Sequence, residues 1–418
     1  MKYALIAIIA CIWMVALAYP AVALDRALDA SFEFGRKGSS GQVDEEDLTD
    51  EFNYVKSTTK FSHTLDKTTS YNLRYQYYKK DFDTLENLEN IFHTAGFGFD
   101  KALLFQDGLS LKLGPDFDVK EKRYDNSADL DYDQIKADLP FILKREGDWT
   151  IRQSVGINWY DYPNATRDEF KTNERTDVSK KFFDERLEAS AFYRLQWIER
   201  QKIANRLEKT YGASLDAKTG HDIVKSIEAG YEEGMDNTKT NEDREDTFDF
   251  KHRKWYAKTN HVFEKRVKTS VKFTYTDRVY ADFNHGYDGF LLENNWSLRA
   301  LETDAYALDL KLGYLHKRFR FPYVSNPYSF HYNAVIPELE WEMKDDWKAT
   351  FDSDVRFYDY PARDVNDKIY YIAKASLEKS LLKKALVIGF DYKYTFKNYL
   401  HRIDITEDAF KLRATYKF

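Results

Sequence analysis

Apolar and polar residues alternate one for one through most of this chain, in segments of about 10 to 16 residues, long enough for a strand to cross a bilayer. Such alternation gives each strand one apolar and one polar face. The last nine residues state it most plainly: Phe410, Leu412, Ala414, Tyr416 and Phe418 hold one parity, and Lys411, Arg413, Thr415 and Lys417 the other. The pattern recurs upstream. Leu109, Leu111, Leu113, Phe117 and Val119 oppose Ser110, Lys112, Asp116 and Asp118, and Ile135, Ala137, Leu139, Phe141 and Leu143 oppose Lys136, Asp138 and Lys144. Trp149, Ile151, Val155, Ile157 and Trp159 oppose Thr150, Arg152, Ser154 and Asn158. Further stretches run through Val267 to Tyr275, Tyr306 to Tyr314 and Leu386 to Tyr394.

A soluble sandwich also alternates, so the connections and the composition have to decide. Short turns fall near Asp66-Lys67, Gln106-Asp107-Gly108, Glu146-Gly147-Asp148, Glu264-Lys265, Glu302-Thr303-Asp304 and Lys344-Asp345-Asp346. Between them lie longer polar connections, expected at Gly35 to Asp50, Asp161 to Lys181, Asp236 to Asp246 and Asn284 to Asn295. With 31 Tyr and 30 Phe beside 32% charged residues, aromatics and charges are enriched together, which suits a sheet with an apolar outside and a wet inside. Counting on this basis gives about 18 strands within a range of 16 to 20, from Arg26 to Phe418, with Arg200 to Asp246 the hardest stretch to assign. There, candidate strands run around Ile203 to Ala213 and Ile223 to Glu232, while Leu195, Ile198 and Leu207 show helical spacing.

The front end differs. Ala4 to Tyr19 is apolar, Pro20 breaks it and Ala21-Val22-Ala23 offers a small-x-small cleavage site, so residues 1–23 read as a secretory signal and residues 24–418 as the mature domain. The signal holds the single cysteine, Cys11, leaving the mature chain without disulfides or thiolate metal sites. A formal charge of −7 gives no encouragement to nucleic-acid binding.

Signal peptide, Tyr/Phe-rich alternating strands, short turns opposed to long loops and a terminal Phe together resemble the Gram-negative outer-membrane β-barrel proteins, in architecture rather than in any one family's motifs. The resemblance implies an all-β, transmembrane, antiparallel up-and-down barrel exported through the Sec pathway to the outer membrane, with short turns in the periplasm and long loops outside. It also implies that lipid and lipopolysaccharide surround the barrel, and that the assembly machinery reads the closing strand and Phe418. The closing strand is expected to pair with the segment around Leu28 to Phe34. Because the first strand starts close to the cleavage site, no N-terminal plug or helical-repeat region is expected ahead of it.

Charged side chains facing lipid at the midplane cost about 2–4 kcal/mol for Lys or Arg, so the polar parity must face a lumen. Expected pore-lining residues are Lys112, Asp116, Lys136, Asp138, Arg152, Lys268, Lys272, Lys311, Lys393, Lys411 and Arg413, a wall that leans basic. The sequence Asn158-Trp159-Tyr160-Asp161-Tyr162-Pro163 is echoed by Arg356-Phe357-Tyr358-Asp359-Tyr360-Pro361, each closing an outgoing strand and followed by Arg167-Asp168 or Arg363-Asp364. One reading is an aromatic girdle with Pro ending the strand. The other is that inward-facing Tyr160 and Tyr358 stack on sugars or other planar solutes at the mouth. Acidic clusters at Asp44 to Asp47 and Glu242 to Asp246 are expected in solvated outer loops. Asp129, Asp131 and Asp133 imitate a calcium loop but lack its Gly and its closing Glu.

No enzyme motif is present: His63 and His261 fall near short turns, His221, His285 and His401 are expected on the outer side, and no G-x-S-x-G or H-E-x-x-H occurs. No cofactor is expected. The function the sequence points to is a channel for passive diffusion of small polar or anionic solutes. The alternatives are the outer-membrane pore of a multi-protein exporter, for example of polysaccharide, and a structural or adhesive barrel with a closed lumen.

Overall fold

The structure is a computed structural model that describes residues 26–43, 46–82, 89–163, 168–200, 205–239, 250–264, 266–280, 286–321, 329–343, 346–361, 367–399 and 404–417. The signal segment, Phe418 and the Glu242 to Asp246 cluster lie outside these residues, as do Asp44 and Glu45 of the first acidic cluster.

In chain order the strands are β1 (Arg26–Val43), β2 (Glu46–Asp66), β3 (Thr69–Phe82), β4 (Asn90–Leu104), β5 (Leu109–Leu113), β6 (Asp116–Tyr124) and β7 (Tyr132–Arg145). They continue with β8 (Trp149–Asp161), β9 (Glu169–Phe182), β10 (Leu187–Arg200), β11 (Asn205–Lys218), β12 (Val224–Lys239), β13 (Phe250–Phe263) and β14 (Val267–Tyr280). The last are β15 (Tyr287–Glu302), β16 (Tyr306–Arg320), β17 (Phe330–Met343), β18 (Trp347–Asp359), β19 (Lys368–Leu381), β20 (Leu386–Tyr399) and β21 (Ile405–Lys417).

Except for β5 and β6, each strand pairs antiparallel with its neighbours in sequence, and β1 pairs with β21, so the sheet closes. Strands β5 and β6 share one position between β4 and β7, interrupted at Gly114-Pro115, where proline has no N–H to donate. The wall therefore has twenty positions around its circumference. This corrects the expected count of about 18. The expected loop Asp161 to Lys181 is mostly strand, β9 from Glu169 onward, and the two candidate strands in 200–246 both form, as β11 and β12. Leu195 and Ile198 belong to β10, not to a helix. The segment Gly35 to Asp50 is likewise mostly strand, since β1 reaches Val43 and β2 starts at Glu46, and β15 takes up most of Asn284 to Asn295.

Connections at one end of the barrel span two to five residues, whereas most at the other end are longer, up to the ten residues between β12 and β13. The closing register sets Phe34 against Leu412, Phe32 against Ala414 and Ala30 against Tyr416.

The apolar surface lies outside. Among the described residues only Leu28, Ile198, Tyr332 and Ala334 are buried apolar ones, while Phe390 and Leu412 are 43% and 49% exposed. The exposed residues line up across the strands: Phe34, Leu412, Phe390 and Leu377 form one row of aligned partners. A domain whose large apolar side chains face outward in a band around its circumference is solvated by lipid, not water.

Candidate functional site: the lumen wall and its aromatic mouth

The other parity faces the lumen and carries a network of ion pairs, most of them between strands. Lys112 meets Asp100 at 3.0 Å, Lys136 meets Asp138 at 2.6 Å and Lys272 meets Glu293 at 3.4 Å. Asp116 and Asp118 are both held by Arg74, the latter at 2.9 Å. Lys311 bridges Glu338 at 2.6 Å and Glu340 at 3.6 Å on β17. Near the seam, Lys411 lies 3.1 Å from Asp391, and Arg413 pairs with Glu378. All eleven residues expected to line a pore stand on this parity, opposite the apolar band. Three of them, Arg152, Lys268 and Lys393, have no ion-pair partner among the described residues.

Two recesses in the wall gather several of these groups. One, of about 520 Å³, brings Arg152 and Lys272 together with Arg175, Asp177, Glu232 and Lys254. The other, of about 430 Å³, joins Lys393, Lys411 and Arg413 to Lys374, Asp352 and Asp391. Lys112, Asp116, Lys136 and Asp138 stand apart from both, on β5 to β7.

At the long-loop end the wall becomes aromatic. Tyr160 lies 5.7 Å from Tyr132 and 6.4 Å from Tyr162, its hydroxyl accepts hydrogen bonds from Gln134 and Asn158, and the Lys171 ammonium sits 5.4 Å from its ring centre. Tyr358 packs 4.8 Å from Tyr332, with the Lys368 ammonium 5.1 Å from its ring. Both tyrosines are thus inward-facing members of larger clusters, each with a lysine on one face.

A further arc on β2 to β7 is not visible in the sequence patterns. Lys80 lies over Phe52 at 4.8 Å, Lys120 over Phe92 at 4.5 Å and Lys122 over Tyr124 at 4.4 Å. None of these lysines has a carboxylate within ion-pair distance among the described residues; aromatic faces take that place through cation–π attraction. The signal that marks them is an aromatic residue and a lysine two positions apart on the inward parity, as with Tyr78 and Lys80 or with Lys122 and Tyr124.

The echoed motifs also have a local cause. Where β8 ends, Asp168 accepts the Tyr162 amide at 3.0 Å, and where β18 ends, Asp367 accepts the Tyr360 amide at 2.6 Å. Asp131 does the same for Tyr124 and Asp404 for Tyr399. Each carboxylate satisfies a backbone donor that has left the ladder. The aspartates that imitate a calcium loop are used in this way: Asp131 holds that amide, and Asp133 pairs with Arg123 at 2.7 Å. His221 lies in the short β11–β12 turn, where its Nδ1 accepts the Ile223 amide, so it is at the short-turn end and not the outer side. His285 and His401 lie outside the described residues.

No protein-family model matches the chain, and no curated protein matches it. Solved structures do. The copper transporter OprC superposes with a TM-score of 0.58 at 8% identity, covering 96% of this chain and 81% of that one. The ferric-catecholate import receptor Fiu of E. coli K12 gives 0.55 at 10% identity, covering 94% and 82%. The alcaligin outer-membrane receptor FauA of Bordetella pertussis gives 0.53 at 11% identity, covering 92% and 76%. At such identities the likeness concerns the fold, and that fold is the Gram-negative outer-membrane β-barrel.

Proposed function

We propose that the protein is an outer-membrane channel through which small anionic solutes diffuse, with those carrying a planar ring favoured at the mouth. The observation that carries this reading is the set of lumen-facing cations with no carboxylate within ion-pair distance among the described residues: Arg152, Lys268 and Lys393 along the wall, and Lys80, Lys120 and Lys122 on aromatic faces at the mouth. Fixed cations lining a pore lower the barrier for anions, and a barrel wider than the roughly 16 to 18 strands that already leave an aqueous channel is too broad for side chains alone to fill. The Lys368 ammonium on the ring of Tyr358 has no carboxylate within ion-pair distance among the described residues. It favours an anion over a neutral sugar, because an anion gains from the ammonium as well as the ring, whereas Lys171 on the ring of Tyr160 is paired with Glu169. The names of the similar solved structures, receptors and a transporter, fit transport as the broad class. Residues 1–23 act in this reading as the export signal, and the strand ending in Phe418 as the segment that the assembly machinery reads.

The test is conductance in a planar bilayer with a salt gradient. An anion-selective reversal potential, with block by an aromatic carboxylate exceeding block by a hexose, is the expected result. Cation selectivity would overturn the basic-lumen reading. The ion-pair network through Arg74, Lys311 and Arg413 is the observation that favours the alternative, a structural barrel with a closed lumen, and a complete absence of current would select it.

A further inference from the structure

The apolar band is broken in one sector. By register, β9 presents Phe170, Thr172, Glu174, Thr176, Val178 and Lys180 outward, because these align with Trp159, Ile157, Val155, Gln153, Ile151 and Trp149 of β8. Glu174 aligns next with Leu195 of β10, which aligns with Lys209 of β11. A carboxylate and an ammonium therefore share one row of the lipid-facing surface, two strands or about 10 Å apart, with Leu195 between them. They lie one step inside Trp197, which aligns with Thr172 and Leu207. The nearest described polar contact of Glu174 is the Gln153 amide at 3.4 Å, and neither Glu174 nor Lys209 has an ion-pair partner among the described residues. Lys251 of β13 extends the same row through Met235, which aligns with Lys209, whereas the outward ions Arg123 and Glu233 have partners. Arg123 pairs with Asp133 at a strand end, and Glu233 accepts the Tyr231 hydroxyl beside Arg253. Towards the short-turn end the next outward row carries Tyr193 aligned with Thr176 and Tyr211, and the row beyond it Ala191 aligned with Val178 and Ala213.

We propose that this face, β9 to β11, docks against a second copy of the chain across a two-fold axis along the membrane normal that passes through Leu195. The axis exchanges the two sides of the row, so Glu174 of each copy meets Lys209 of the other. With strands tilted by about 40°, the two residues differ in height by about 6 Å, a gap that a lysine side chain spans. The patch is self-complementary, as an isologous interface requires, and both charges leave the lipid together.

Cysteine cross-linking in native membranes tests this, since the region after residue 23 has no cysteine of its own. Leu195→Cys sits on the axis and is expected to give a disulfide-linked dimer under mild oxidation, while the outward Leu377→Cys on β19 gives none. Adding Glu174→Lys should reduce the L195C dimer at least tenfold, and adding Lys209→Glu as well should restore it. Glu174→Gln serves if the charge reversal fails to insert, and should reduce the dimer without altering heat-modifiable folding. Equal cross-linking at positions 195 and 377, no cross-linking at 195, or a dimer indifferent to Glu174 would each overturn the proposal. Because the readout is assembly, it does not depend on the lumen conducting.

Discussion

At the scale of single residues, the aromatic mouth makes the sharpest claim. Each lysine of the Lys80, Lys120 and Lys122 arc keeps its charge beside rings instead of carboxylates, so its removal subtracts positive potential without freeing a buried anion. The triple variant Lys80→Gln, Lys120→Gln, Lys122→Gln is expected to insert normally and to move the reversal potential towards zero, with loss of block by aromatic carboxylates. Arg74→Gln should act by a different route. It leaves Asp116 and Asp118 side by side without their cation, so bilayer measurements should show reduced anion preference from a change of one residue. The aspartates that hold the Tyr162 and Tyr360 amides are structural. Asp168→Ala together with Asp367→Ala should cost about 1–3 kcal/mol per site, the range for leaving a backbone group unsatisfied. Faster proteolytic nicking after β8 and β18, with the barrel still resistant, is the measurement that checks it. Period two made the inward direction of Tyr160 and Tyr358 legible in sequence. Their lysine partners were not, because Lys368 reaches Tyr358 only through the register of β18 on β19.

Individual strands show where the alternation speaks and where it falls silent. β21 has clean alternation and was readable from Phe410 onward, including its pairing with β1, although it starts earlier, at Ile405, and its pairing extends to Gly41. β9 was missed because its lipid-facing side carries Thr172, Glu174 and Thr176 where other strands carry Leu, Phe or Val, leaving nothing apolar to alternate between Phe170 and Val178. The far parts of β1 and β2 were missed for another reason: strand beyond the lipid has no apolar face to maintain. The faces of β21 can be set against each other directly. Leu412→Arg puts a charge in the apolar row with Phe34 and Phe390, and should cost about 2–4 kcal/mol if that row lies at the midplane. Arg413→Leu, one residue on, should leave insertion unchanged and alter selectivity only. Urea unfolding in vesicles, followed by heat-modifiable mobility, would separate the two.

The whole molecule is a closed cylinder whose stability comes from apolar groups turned outward and a ladder with no free edge. Fold class and closure were legible in the sequence because lipid imposes a single rule on every strand. The number of staves was not, since one polar strand is enough to disguise a hairpin as a loop. Deleting Phe418 is expected to impair insertion more than it alters conductance, seen as a lower yield of folded protein with unchanged single-channel current.

The β1–β21 seam carries a consequence for how such a wall can be built. The partners Phe34 and Leu412 stand almost the full chain apart in sequence, so the contacts that finish the cylinder have the greatest loop-closure cost and reward nothing until the final strand arrives. Until then every intermediate exposes two raw hydrogen-bonding margins. Assembly therefore resembles fastening a clasp: a chain lacking β21 should stall with both margins open and aggregate, whereas a nick in a long loop of the finished wall should leave it standing.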